Sequence, residues 1–216
     1  MDPTEFEVRF STISEKIKRP DLFYNFIGNN IWENVGTLTR DIFFTEFAEL
    51  YIDADAAQRK RISDYFAARS LINDLYLYVR RIGKLIQSEQ DSRWLQIGIA
   101  AAMIDGGRGD YRDLIVSLVL LRFAAELHEI DTKPFFNDAI QNADEKMKSI
   151  LINARDHKES DIHFTVQNSG NPDWVAESKK KYGEHPVYTQ LKSKLEKNSE
   201  SEDKKEKKKG FWSLFR

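Results

Sequence analysis

Residues 92–127 read SRWLQIGIAAAMIDGGRGDYRDLIVSLVLLRFAAEL, and this stretch decides the fold. Trp94, Ile97, Ala101 and Ile104 recur at helical spacing on one face, and Leu114, Leu118, Leu121 and Ala125 do so on another. Between the two runs lies Asp105-Gly106-Gly107-Arg108-Gly109-Asp110. Gly106 or Gly107 can close the first helix in the left-handed conformation. Asp110 can cap the second helix, and Asp113 places an acid in its first turn, where the helix dipole favours it. Gly98, Ala100, Ala101 and Ala102 leave room for two helices to approach closely. The expectation is a helical hairpin with both end signals in place.

Outward from the hairpin, the helical period continues on both sides. Thr132 and Pro134 followed by Phe135, Phe136, Ala139, Ile140, Ala143, Met147, Ile150 and Leu151 predict one last helix of the body. Upstream, Ile62, Tyr65, Phe66, Ile72, Leu75, Tyr76, Val79, Ile82 and Ile86 form a stripe broken near Ser70, which marks a kink or a second start. Asp53-Ala54-Asp55 separates this stripe from a helix through Leu38, Ile42, Phe43, Phe47, Leu50 and Tyr51. A further helix is expected over Leu22, Phe23, Phe26, Ile27 and Ile31, with Asp21 near its cap. Phe6, Val8 and Phe10 alternate at strand period in a short extended or helical lead-in.

The predicted fold is therefore all-α: a single compact helical body of about six helices over residues 1–154. A weak correspondence between Ile52-Asp53-Ala54 and Ile104-Asp105-Gly106 leaves a HEAT-like stack of hairpins as an alternative to a plain bundle. Residues 155–203 read as a polar extension with a turn at Asn168–Pro172 and a short helix near 186–197. Asn198–Lys209 is charge-dense and lacks apolar residues, a disordered composition. Residues 204–216 form a basic-aromatic tail.

The chain has 216 residues, no Cys, 14 Phe, 8 Tyr and 4 Trp. Disulfides and thiolate chemistry are thereby excluded, and bulky aromatic side chains are available to fill a core. The first seven residues are acidic and polar, unlike a secretion signal, and no apolar run approaches the ~20 residues of a spanning helix. These features predict a cytoplasmic protein, with peripheral attachment at the inner face of a membrane as a variant. Residues 1–154 carry a formal charge of −5 and residues 155–216 carry +3. Arg59-Lys60-Arg61 and Arg80-Arg81-Lys84 are diluted by neighbouring acids, so nucleic acid is not the expected partner.

No catalytic constellation emerges. His157, Asp161 and His163 lie close in sequence but read as a solvated loop, without the ligand spacing of a metal site. Glu46, Glu49 and Asp53 share a helix face that reads as solvated. Gly106-Gly107-Arg108-Gly109 lacks the Lys-Ser/Thr ending and the preceding strand of a phosphate loop, and reads as a hairpin turn from which Arg108 or Arg112 can reach a partner. No metal and no cofactor is expected.

The sharpest signal is the tail. Lys207, Lys208 and Lys209 are followed at once by Phe211, Trp212, Leu214 and Phe215. Such a segment suits a protein groove, where Trp and Phe are common anchors. It also suits an anionic membrane surface, where basic charge and apolar insertion add, and it can pack on its own domain. The predicted function is a non-enzymatic, cytoplasmic protein-interaction module, an adaptor or assembly subunit that binds another protein through helix faces and a tethered C-terminal segment. Two alternatives stand: a peripheral membrane-surface protein held by the tail, and a helical enzyme or small-ligand binder with a site near the 105–113 turn, using Tyr111, Arg112, Glu126 and His128.

Overall fold

The computed structural model describes residues 1–16, 37–68, 71–83, 85–86, 92–109, 111–184 and 189. The helices expected at 22–31 and 186–197, the latter apart from Thr189, and the tail at 204–216 lie outside the described residues, as do the predicted caps Asp21 and Asp110. The described residues form ten helices and no strand, so the protein is all-α. The helices are α1 (Pro3–Glu15), α2 (Thr37–Asp53), α3 (Ala56–Ala68), α4 (Ile72–Ile82), α5 (Ser92–Asp105), α6 (Tyr111–Leu127), α7 (Lys133–Asn142), α8 (Glu145–Asp156), α9 (Glu159–Gln167) and α10 (Pro172–Tyr182). They belong to two compact units, Met1–Lys158 and Glu159–Arg216.

The count of ten corrects the expected six, and each extra helix has a local cause. The lead-in is helical: Asp2 accepts from the amides of Thr4 and Glu5 at 2.9 and 3.2 Å, Pro3 opens the first turn, and Phe6, Phe10 and Ile13 are buried at helical spacing. Val8, the middle member of the apparent strand alternation, is 62% exposed. The stripe over 56–86 is two helices, so the break near Ser70 is a second start. The expected last helix is also two. Ala143 is extended, and Asp144 caps α8 by accepting from the Met147 amide at 2.8 Å. The start of α7 is held by Asp131, which accepts from the Lys133 amide at 3.2 Å, while the hydroxyl of Thr132, the predicted cap, donates to Glu126 instead. Finally, α9 and α10 occupy part of the polar extension.

In the first unit, α5 is the central helix. It packs against α2, α3, α4, α6 and α7, and every residue from Ile97 to Asp105 is buried. One helix thus gathers partners from both sides of the chain. The close approach foreseen at Gly98 is present: a Cβ there would lie 2.5 Å from Leu121 Cδ2 on α6.

A second core feature is aromatic. Phe47, fully buried on α2, lies 5.6 Å from Phe10 on α1 and 5.2 and 5.1 Å from Tyr65 and Phe66 on α3. Phe44 extends the cluster to Tyr78 on α4, at 5.2 Å. The Phe10–Phe47 and Phe47–Phe66 pairs are edge-to-face, and favourably arranged aromatic pairs each add about 0.5–1.5 kcal/mol beyond area burial. On α3, Asp55 and Gln58 form a reciprocal capping box, each side chain accepting from the other's amide at 2.9 Å.

Arg122 is buried in the middle of α6, and both of its terminal nitrogens donate to backbone carbonyls. It donates to the carbonyls of Ala154 at 2.8 Å, of His157 at 3.0 Å, and of Arg155, and its Nε lies 3.3 Å from Glu126. These carbonyls are the open end of α8, where a cation is stabilised by the helix dipole. In the second unit, α9 and α10 pack together around Ile162, Val166 and Trp174. His163 and Ser178 are buried with them, His163 Nδ1 and Ser178 Oγ being 2.5 Å apart, and His163 Nε2 lies 2.9 Å from Gln167.

Candidate functional site

The first unit carries a groove built where the ends of several helices meet. Its first section is a cavity of about 260 Å³. The outer face of α5 supplies Ile99, Ala100 and Met103, and α7 supplies Pro134, Phe135 and Ala139 opposite. This section is apolar because α5 is apolar all round and α7 turns only part of its own apolar face to the core. Gln96, Asp138 and Asn142 edge it.

The second section, about 510 Å³, continues toward the 106–108 turn. It is polar, with Asp55, Lys60, Ser63 and Arg108 on one side and Asp144 on the other. Tyr51, Arg59, Met103 and Asn142 line both sections, so the two are one groove that passes from apolar to polar.

The cations in the groove are held by the protein itself. Arg59 donates to the carbonyls of Tyr51 and Ile52 at 3.0 and 3.1 Å and lies over the Tyr51 ring at 5.2 Å. It thus closes the C-terminal end of α2 as Arg122 closes α8. Burial raises the Tyr51 hydroxyl's pKa, with Arg59 opposing and Asp144 assisting, so the phenol stays protonated at neutral pH. Arg108 donates to the Ser63 carbonyl at 2.7 Å, and its guanidinium lies 3.8 Å from Asp64. Asp64 also takes Lys60 at 2.5 Å, and that hydrogen bond is the main reason its carboxyl lies below the usual range. Asp138 is different: it is exposed, and no described residue pairs with its carboxylate.

The turn at the polar end has an unusual anchor. Asp105 is only 2% exposed, and burial pushes its carboxyl up to about 6, against the amides of Gly107, Arg108 and Gly109, which bond to it and lower it. Gly106 and Gly107 have φ of +62° and +64°. A Cβ on Gly107 would also lie 2.5 Å from Ile150 Cδ1, so this position needs glycine for backbone and for space.

Of the residues singled out from sequence, Arg108 lines the groove. Arg112 is exposed, its guanidinium 5.8 Å from the Tyr111 ring, and does not line it. Lys207, Lys208, Lys209, Phe211, Trp212, Leu214 and Phe215 lie outside the described residues. Tyr111, Arg112, Glu126 and His128 line neither section, and Glu126 is engaged by Arg122 and Thr132. His163 is a buried side chain rather than part of a solvated loop. Among the described residues no three His, Cys, Asp or Glu side chains are grouped to hold a metal, and no helix is long and apolar enough to cross a membrane.

Sequence reasoning missed the groove because its lining comes from five helices and a turn. The one local signal was Pro134-Phe135, an apolar pair in a first turn where only Phe136 is needed for the core. No known family model matches the chain, and neither does any curated protein or any solved structure.

Proposed function

We propose that this chain is a non-enzymatic protein-interaction module of the cytoplasm, and that the groove between α5 and α7 receives a segment of a partner protein. The observation that carries this reading is the continuity of the two sections through Tyr51, Arg59, Met103 and Asn142. An apolar floor leading into a polar end suits a peptide with bulky side chains followed or preceded by charged ones. Binding fits better than chemistry because the groove's cations are already committed to carbonyls and carboxylates in their resting positions. The basic-aromatic segment at 204–216 is the second attachment point in this reading.

Asn142 tests the proposal. It is exposed and lines both sections, so Asn142→Trp fills the junction without touching the core. Tagged wild type and variant are compared for proteins retained from the native cell, and affinity for the retained partner is then measured with purified components. The expected result is at least a tenfold loss for the variant, about 1.4 kcal/mol. Equal affinity removes the groove from the function.

A further inference from the structure

Resting on that reading of the groove, we infer that the partner segment it receives is acidic: a bulky apolar side chain enters the apolar section, and a carboxylate next to it is taken up at the junction by Tyr51 and Arg59. Tyr51 and Arg59 line both sections, so they stand where the groove changes from apolar to polar. Arg59 spends its Nε and Nη2 on the carbonyls of Tyr51 and Ile52. Those acceptors are neutral. Among the described residues no carboxylate pairs with this guanidinium, and its Nη1 makes no hydrogen bond. The Tyr51 hydroxyl also has no hydrogen-bond partner among the described residues, and burial keeps it protonated at neutral pH, ready to donate. The junction therefore offers a phenol O–H and the N–H groups of an unpaired cation. A carboxylate accepts from both, and such charge-assisted bonds are roughly twice as strong as neutral ones.

The polar section has the same preference. Its cations are Arg59, Lys60 and Arg108, and its acids are Asp55 and Asp144. Both acids serve as helix caps, Asp55 accepting from the Gln58 amide and Asp144 from the Met147 amide, where the helix dipole offsets their charge. Lys60 and Arg108 share the one carboxylate of Asp64, so a positive charge is left over between them.

Asp138 sets the direction of the segment. Its carboxylate has no partner among the described residues, and it edges the apolar section alone. It disfavours a carboxylate at that end, which leaves the polar end for the acid. In the apolar section the bulky side chain meets Ile99, Met103 and Phe135, and the thioether and the ring are favourable neighbours for an aromatic residue.

The test selects peptides on the full chain. A phage library of random short peptides is panned on the protein, and clones that also bind Asn142→Trp are removed. The expected enrichment is for a bulky apolar residue beside Asp or Glu. One enriched peptide is then synthesised with its acids intact and with the corresponding amides, and both forms are titrated against the full chain by fluorescence anisotropy. The amide form should bind about tenfold more weakly. Lys60→Glu, an exposed change, and Tyr51→Phe, which keeps the ring, should each weaken the acidic form about fivefold and the amide form less. Thermal melts confirm that the variants stay folded. Enriched peptides without acids, equal affinity of the two forms, or equal losses for both forms in the variants each overturn the inference. So does retention of single-stranded RNA or of phosphatidylserine vesicles in place of any peptide. If the selected peptides depend on Asn142 but not on their acids, the groove stands and the chemistry assigned to its occupant is wrong. If no peptide depends on Asn142 and Asn142→Trp keeps its cellular partner, the groove itself is not a site.

Discussion

The α5–α6 hairpin and the α9–α10 pair are both two helices joined by a glycine-containing turn, yet they are held together differently. In α5–α6 the contact is apolar and close, with Gly98 against Leu121 and Leu114 and Leu118 fully buried. Its one conspicuous buried acid, Asp105, serves the turn. In α9–α10 the buried set is small and mixed, with Ile162, Val166 and Trp174 beside His163 and Ser178. The first pair is specified by volume, the second by volume and one polar match. A polar match adds little net stability, and removing half of it leaves the other half unpaired at a cost of about 1–3 kcal/mol.

The largest effect expected from this contrast is at Leu118. Truncation to Ala leaves a cavity among close-packed helices and should cost about 2–5 kcal/mol in denaturant unfolding. A cost near zero would break the claim that the hairpin is specified by volume. Next comes Asp105. Its folded pKa of about 6 lies above the ordinary carboxyl value of 3.8. The raised value means its folded form is favoured when protonated, so stability is full below pH ~4 and is lost as pH rises through 6, by on the order of 3 kcal/mol. Asp105→Asn keeps an acceptor oxygen for the turn and removes this loss. Its melting temperature relative to wild type should therefore rise between pH 4 and pH 7.5, and a flat difference would show that the carboxyl titrates normally.

Gly107→Val sharpens the comparison from the turn. A β-branched residue at φ +64° and a Cβ 2.5 Å from Ile150 should together cost about 2 kcal/mol, measured by thermal unfolding. Gly170, in the α9–α10 turn, has φ +69° but open space around its missing Cβ, so the same change there should cost less. The smallest effect is Ser178→Ala, about 1 kcal/mol, from the loss of His163's partner. Hydrogen exchange should show that loss in α9 and α10. Faster exchange throughout α5 and α6 instead would contradict the assignment of His163 and Ser178 to a separate unit.

The same contrast explains what could be read in advance. The hairpin was legible because its period, its glycines and its small residues all pointed one way. The break between α7 and α8 was not, since Phe136, Ala139, Met147 and Ile150 keep a helical rhythm across Asp144, and only the capping bond to Met147 shows the restart. The lead-in misled because Phe6, Val8 and Phe10 alternate, while the decisive signal was polar: Asp2-Pro3-Thr4-Glu5, a cap, a first-turn proline and an acid. The α9–α10 pair escaped because three buried apolar residues scattered among charged ones carry too little periodicity. Arg108 was legible as a turn residue, but its neighbours in the groove, Met103 and Asn142, read as ordinary helix positions until the chain had folded them together.

Arg122 has a practical consequence for anyone dissecting the protein. The acceptors of its guanidinium are the carbonyls of residues 154, 155 and 157, so the first unit is fastened shut by its own final residues. A fragment truncated after Asn153 would remove every one of those carbonyls and leave the buried charge only Glu126, whereas one carried through Lys158 keeps the latch.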